Sequence, residues 1–198
     1  MPTTTSKNTG HKKNGTPAKT SVKKAPGSSQ KKNAEENQEE LFKLFEHALR
    51  DMYWVEKTLT RSIPKMIKKA QAEELVSALE DHLDATEDQV SKLESVFEGI
   101  GKAARGKKCV AMEGILKEGE ELMEEFDGPS LDSAIIMAAQ KVEHYEISAY
   151  NSMITLARLL DFVKEADILQ EVLDQEMEAD KLLTNLAINT SHKEMVEA

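Results

Sequence analysis

Apolar residues recur three or four positions apart along most of this chain, the spacing of one face of an α-helix rather than the alternation of a strand. The first stripe is Leu41, Phe45, Ala48, Met52, Val55, Leu59, Ile63 and Met66, and it predicts a helix over about 39–70. Pro64 lies inside it, yet Met66 and Ile67 stay in phase, so the proline is expected to kink or tighten the helix rather than end it. Leu75, Leu79, Leu83, Val90, Leu93 and Phe97 predict a second helix over about 72–100. A third is expected after Gly128 and Pro129, with Ser130 as N-cap, carrying Leu131, Ile135, Ala138, Val142, Tyr145, Ala149, Met153 and Leu156. A fourth, capped by Asp161, carries Leu169, Val172, Leu173, Ala179 and Leu183 and is expected to end near Ala187. Between the second and third lie a Gly/Lys loop and a shorter helical period over 110–126, long enough to cross a bundle from end to end. The pattern predicts an all-α, up-down-down-up four-helix bundle with one long helical crossover.

Composition narrows the class further. The chain has 198 residues, 39% of them hydrophobic and 5% aromatic, which suits one helical domain and disfavours a β-sandwich or barrel. No apolar run approaches the roughly 20 residues of a membrane span and the N-terminus lacks a secretory apolar core, so a soluble, cytoplasmic protein with no membrane partner is expected. The single cysteine, Cys109, excludes an internal disulfide and a zinc site built of thiolates.

Charge divides the chain. Residues 1–34 hold eight lysines and no acid among Thr, Ser, Asn, Gly and Pro, whereas all 36 Asp and Glu follow. So apolar-poor a segment cannot offset its ordering entropy, and the expected organisation is a disordered basic tail over 1–37, the bundle over 38–190 and a short C-terminal tail over 191–198. The tail reads either as an electrostatic arm for nucleic acid or as a solubilising spacer.

The residues that interrupt the stripes carry the chemistry. At about 100° per residue, Glu56 falls about 40° from Met52, within the arc of Phe45, Ala48, Leu59 and Ile63. Glu146 lies about 40° from Val142, with Glu143 at the stripe's edge. Glu176 falls among Leu169, Val172, Leu173 and Leu183, and Asp180 follows one turn later. On the second helix the polar residues in phase are His82 and Thr86, with Glu87 displaced outward. Several anions buried together need protonation, a basic partner or a bound cation, and the inward stripes hold no Lys or Arg. Oxygen-rich ligation with one imidazole suits iron or manganese, and two ions bridged by carboxylates would neutralise the cluster.

The two halves are also alike. Tyr53-Trp-Val-Glu56 matches Glu143-His-Tyr-Glu146, and Leu79-x-x-His82-x-x-x-Thr86 matches Leu173-x-x-Glu176-x-x-x-Asp180. Five longer stretches, LRDMYWVEKTL, HLDATEDQVSKLESVF, GKKCVAMEGILKEGEEL, AAQKVEHYEISAYNSM and LDQEMEADKLLTNLA, resemble the YciF-type bacterial stress proteins of the ferritin-like superfamily. The resemblance covers about 41–186 and implies a ferritin-like bundle, often dimeric, with a rubrerythrin-like dinuclear metal centre. Its acids map onto Glu56, Glu143, Glu146, Glu176 and Asp180, with His82 as the nitrogen ligand. The usual pattern has Glu-x-x-His on the second and fourth helices, whereas here Ala85 follows His82 and Ala179 follows Glu176 at that spacing.

Other conspicuous residues have plainer readings. His144 shares the direction of Lys141 and Ser148, so it is expected to be solvated or to support a ligand rather than be one. Cys109 reads as a structural loop position, the acids Glu118, Glu120, Glu121, Glu124 and Glu125 as a solvated helix face, and Tyr53, Tyr145 and Tyr150 as core residues with hydroxyl partners. The favoured function is a ferritin-like stress protein whose dinuclear iron or manganese centre oxidises ferrous iron or reduces oxygen or peroxide. The alternative is a non-catalytic stress-response scaffold, associated with nucleic acid through its tail.

Overall fold

The computed structural model describes residues 27–197, in five helices: α1 (Gly27–Lys69), α2 (Glu73–Gly99), α3 (Val110–Glu125), α4 (Pro129–Leu159) and α5 (Val163–Glu197). The four long helices pack around a square, each of α1 and α5 flanked by α2 and α4, while α3 lies against α4 and α1. Their directions follow from contacts at the ends. Buried Asp132, in the first turn of α4, accepts from the backbone N–H groups of Gln71 and Ala72 at 2.8 Å each, so α2 and α4 start at the same end. Phe162, just before α5, packs its ring against Phe42 and Phe45 near the start of the buried part of α1, so α1 and α5 run together from the opposite end. The result is the up-down-down-up, ferritin-like arrangement, with α3 in the crossover.

The helices form where the apolar stripes lie because those stripes are the core: Phe45, Leu49, Met52, Val55, Leu59 and Ile63 of α1 meet Leu75, Leu79, Leu93, Val96 and Phe97 of α2. From α4 and α5 the same core receives Ile135, Val142, Met153, Leu169, Val172 and Leu173. α1 runs on through Pro64 to Lys69. Two helix ends are closed by glycine-type turns. Gly101 (φ 70°) follows α2, with its own N–H on Glu98 and that of Lys102 on Phe97.

Several boundaries differ from the periodicity. α1 begins at Gly27 rather than near Glu39, so residues 27–37, expected in the tail, are helical. Residues 33–40 are exposed, and their Ala, Glu and Gln content continues a helix without needing a buried face, which a hydrophobic stripe cannot reveal. α5 likewise runs past Ala187 to Glu197. Ser130 is not the N-cap of α4: Gly128 is, with Pro129 at the first helical position. Asp161 does not cap α5 but ends α4. It sits at φ 62° with its N–H on Arg158, while the N–H of Phe162 bonds Ala157, the pattern that closes a helix with a left-handed residue. The disorder and nucleic-acid expectations for the tail fall largely on residues 1–26, outside the described residues.

The crossover is held to the bundle by close backbone contact. The N–H of Lys107 donates to the Arg50 carbonyl at 2.9 Å, and Arg50 Nε donates to the Arg105 carbonyl at 3.3 Å. A Cβ at Gly106 would stand 3.0 Å from Cβ of Trp54 and 3.2 Å from its Cα, so glycine is what lets the loop lie this close to α1. Cys109 caps α3: its sulfur accepts from the Met112 N–H at 3.5 Å and lies 3.0 Å from Tyr145 Oη. It is buried, the structural position expected of it. Of the acids on α3, Glu118 and Glu120 are exposed and pair with Lys141 and Lys65 at 2.6 and 2.8 Å.

Candidate metal centre

Midway along the bundle the four long helices each turn a polar residue inward. Glu56 on α1, Glu143 and Glu146 on α4 and Glu176 on α5 are each no more than 1% exposed. The i, i+3 spacing of Glu143 and Glu146 puts both on one face of α4, and Glu176 takes a place in the Val172–Leu173–Leu183 stripe of α5. His82 on α2 reaches the same point with its side chain 12% exposed, its Nε2 lying 3.2 Å from Glu143 Oε1. One ligand atom from each of His82, Glu143, Glu146 and Glu176 falls within 4.8 Å of all the others. Glu56 adjoins this quartet, its carboxyl meeting that of Glu146 and accepting a hydrogen bond from Tyr150 Oη.

Asp180 is set apart. It is half-buried and outside the quartet, its buried Oδ1 lying 3.0 Å from Nε2 of the exposed His144, and its charge still acts on Glu143. His144 is thus solvent-exposed and placed against Asp180. Glu87 is exposed, and buried Thr86 donates its hydroxyl to the His82 carbonyl at 2.8 Å, a bond within α2.

The electrostatics of the cluster are those of crowded, dehydrated acids. Burial, reinforced by the neighbouring Glu176 charge, pushes the Glu56 carboxyl well above the ordinary range, and Glu143 is raised by the same two causes. Glu146 is raised by burial and then by Glu56 and Glu176. Glu176 is pushed up to about 7 by burial, with the nearby Glu143 and Gln89 working in the opposite direction. Burial also lowers His82 to about 4, which keeps its imidazole neutral at pH 7. Glu56 Oε2, Glu143 Oε2 and both carboxyl oxygens of Glu146 and Glu176 are buried without a hydrogen-bond partner. A carboxylate only accepts, so acids facing one another need a proton or a cation between them.

Gln89 is the site residue that the sequence reading missed. It is 1% exposed, and its Nε2 lies 3.3 Å from Gln175 Oε1 beside Glu176. Its place one turn before the buried Leu93 and one turn after Thr86 was the available signal, passed over because the amide is neutral. Tyr150, entirely buried, fills the role of a core tyrosine with a hydroxyl partner.

Comparison with known proteins agrees with this fold. The family described as a domain of unknown function, DUF892, matches residues 40–196. The chain is 41% identical over 152 residues to Protein YciF of Escherichia coli strain K12, a match that covers 76% of this chain and 92% of the relative. The crystal structure of the E. coli stress protein YciF superposes with a TM-score of 0.74 at 39% identity, over 77% of this chain and 98% of that one. YcfI from Rhodopseudomonas palustris gives 0.72 at 36% identity, over 73% and 92%. A Xanthomonas campestris protein, 21% identical with a TM-score of 0.58, shares the fold. A bundle of this topology, matched by the family over nearly all its helical length, makes the chain a member of the DUF892 family and a relative of the stress protein YciF.

Proposed function

We propose that the protein is a ferritin-like stress protein that holds iron or manganese, in a dinuclear centre, among Glu56, His82, Glu143, Glu146 and Glu176, with Asp180 at its edge. The observation that carries this reading is the set of buried carboxyl oxygens without partners. Among the described residues no Lys or Arg reaches them, and four donors from three helices converge within 4.8 Å. Oxygen donors with one neutral imidazole match iron or manganese. Bound ferrous ions would supply electrons to oxygen or peroxide and become ferric.

The chain's own contributions are positional and protonic. Glu143 and His82 present an oxygen and a nitrogen side by side, while Tyr150 steadies Glu56 and Gln89 lies beside Glu176. Because the carboxyls hold protons more tightly than free acids, cation uptake must release protons to solvent, and affinity rises with pH. No described helix is long and apolar enough to cross a membrane. On this reading the protein works in the cytoplasm as a homodimer; in the alternative reading, a non-catalytic scaffold, the basic tail serves as an arm for nucleic acid.

An anaerobic titration of metal-stripped protein with ferrous ion, followed by oxygen or peroxide, tests the centre. The expected result is about two ions per chain, oxidised faster than free iron, with binding lost in a Glu56→Ala, Glu146→Ala double variant. Failure to bind, with the double variant as stable as the parent, would overturn the reading and leave a scaffold. Unchanged DNA retention at low salt after deletion of residues 1–34 would remove the tail's assigned role.

A further inference from the structure

A half-open cavity of about 280 Å³ enters the bundle between α2, α4 and α5. Its walls are Ala78, Leu79 and Ala85 from α2, Ala139 from α4, and Ala179 and Leu183 from α5. Two of these alanines stand three residues after His82 and Glu176, so they share a helix face with the site, and the space exists because their side chains end at Cβ. The inner end is polar. His82 and Glu143 line it, 12% and 1% exposed at the side chain, and Glu143 Oε2 has no hydrogen-bond partner. The outer lining includes Asp81 and Glu178, both exposed, and no Lys or Arg.

We propose that this cavity is a binding site for a small neutral organic molecule with an apolar body and a hydroxyl-type head, the head meeting His82 and Glu143. The size falls at the small end of ligand pockets, and walls of Ala and Leu reward an alkyl body of a few carbons, because water among them has few partners. A hydroxyl both donates and accepts, so it satisfies the unpartnered Glu143 oxygen beside an imidazole at the cost of one weakly solvated group. An anionic head meets three acids and no Lys or Arg. A cationic head is attracted by Asp81 and Glu178, but those charges are exposed and screened, while dehydrating an ammonium against alanine and leucine costs far more than dehydrating a hydroxyl. His82 and Glu143 are also residues of the metal reading above, so the test is made without metal, where the cavity alone decides the outcome.

The experiment is a titration of the full chain, kept metal-free with chelator, with 1-hexanol, followed through the methyl resonances of isotopically labelled alanines. Saturable shifts at Ala85, Ala139 and Ala179 are expected, with hexanoate and hexylamine at least about tenfold weaker. Ala85→Phe, checked for folding by its melting curve, should abolish the shifts. If that variant does not fold, Ala179→Leu narrows the same space from α5 and should weaken binding. The proposal is overturned by an absence of saturable shifts at those methyls, by hexanoate or hexylamine binding as tightly as the alcohol, or by unchanged hexanol binding in a folded, cavity-filled variant. Because the titration is made without metal, the two failures stay distinct: a chain that takes hexanol but no iron loses only the metal reading, and the reverse loses only this one.

Discussion

Tyr150 on α4 donates its hydroxyl to Glu56 on α1, joining two helices 94 positions apart in sequence through one buried bond at the middle of the bundle. The donor is fully buried, and burial together with the nearby Glu56, Glu146 and Glu176 charges raises its pKa well above the ordinary phenol value. It therefore remains a proton donor across the physiological range, and it satisfies one oxygen of an acid whose other oxygen has no partner.

Removing that donor has a stability cost. Tyr150→Phe keeps the ring in the core and leaves Glu56 Oε1 unpaired, so the metal-free protein should lose about 1–3 kcal/mol. Urea denaturation followed by circular dichroism measures it, and an unchanged midpoint would show the bond to be unimportant to folding.

The pH dependence of metal-free stability follows from the site. Glu56, Glu143, Glu146 and Glu176 have raised folded-state pKa values, so the folded chain keeps protons that the unfolded chain gives up. Their contribution is fully present below the ordinary carboxylate range and is lost as pH rises, for Glu176 through about 7. His82, lowered to about 4, acts oppositely, adding stability as pH rises from there to about 6.5, and is already neutral in both states by pH 8. The metal-free chain should accordingly melt at a lower temperature at pH 8 than at pH 6, with a smaller difference in Glu176→Gln. A pH-independent difference between parent and variant would contradict the assignment.

Gln89 and Asp180 separate support from ligation. Gln89→Leu removes an amide beside Glu176 without removing a ligand, and should weaken manganese binding about tenfold in calorimetry. Asp180→Asn should weaken it less than Glu176→Gln does, because Asp180 is paired with His144 outside the quartet. A larger loss in the Asp180 variant would place that acid among the ligands.

Asp132 is the structural counterpart. Its two carboxylate oxygens take the backbone N–H groups of Gln71 and Ala72, fastening the α1–α2 turn to the start of α4. Asp132→Ala should cost about 2–4 kcal/mol and Asp132→Asn less, since an amide oxygen can still accept one of the two bonds. Equal losses in the two variants would show that packing, rather than these bonds, fastens the turn.

The legible part of the site was the part that violates a stripe. Glu56, Glu146 and Glu176 replace an apolar residue at positions whose helical neighbours are core, and a charge there is conspicuous at any register error smaller than one residue. Gln89 occupies an equally buried position on α2, but a neutral amide costs less to bury and so stands out less. Asp180 shows the converse: its spacing from Glu176 is right for the same face, and only the distance to His144 reveals where its carboxylate goes.

Sequence alone determined the four long helices, the crossover and the topology, because burial of a repeating apolar face and the length of a connection are both written in residue spacing. It also determined that acids enter the core without basic partners in their stripes. Tertiary structure decided what depends on packing between helices. The turn at Asp161 is one such feature, since it brings Phe162 against Phe42 and Phe45 of α1. Which acids share a centre, and the cavity left by Ala85 and Ala179, depend on distances between side chains from different helices, which no single helix's periodicity contains.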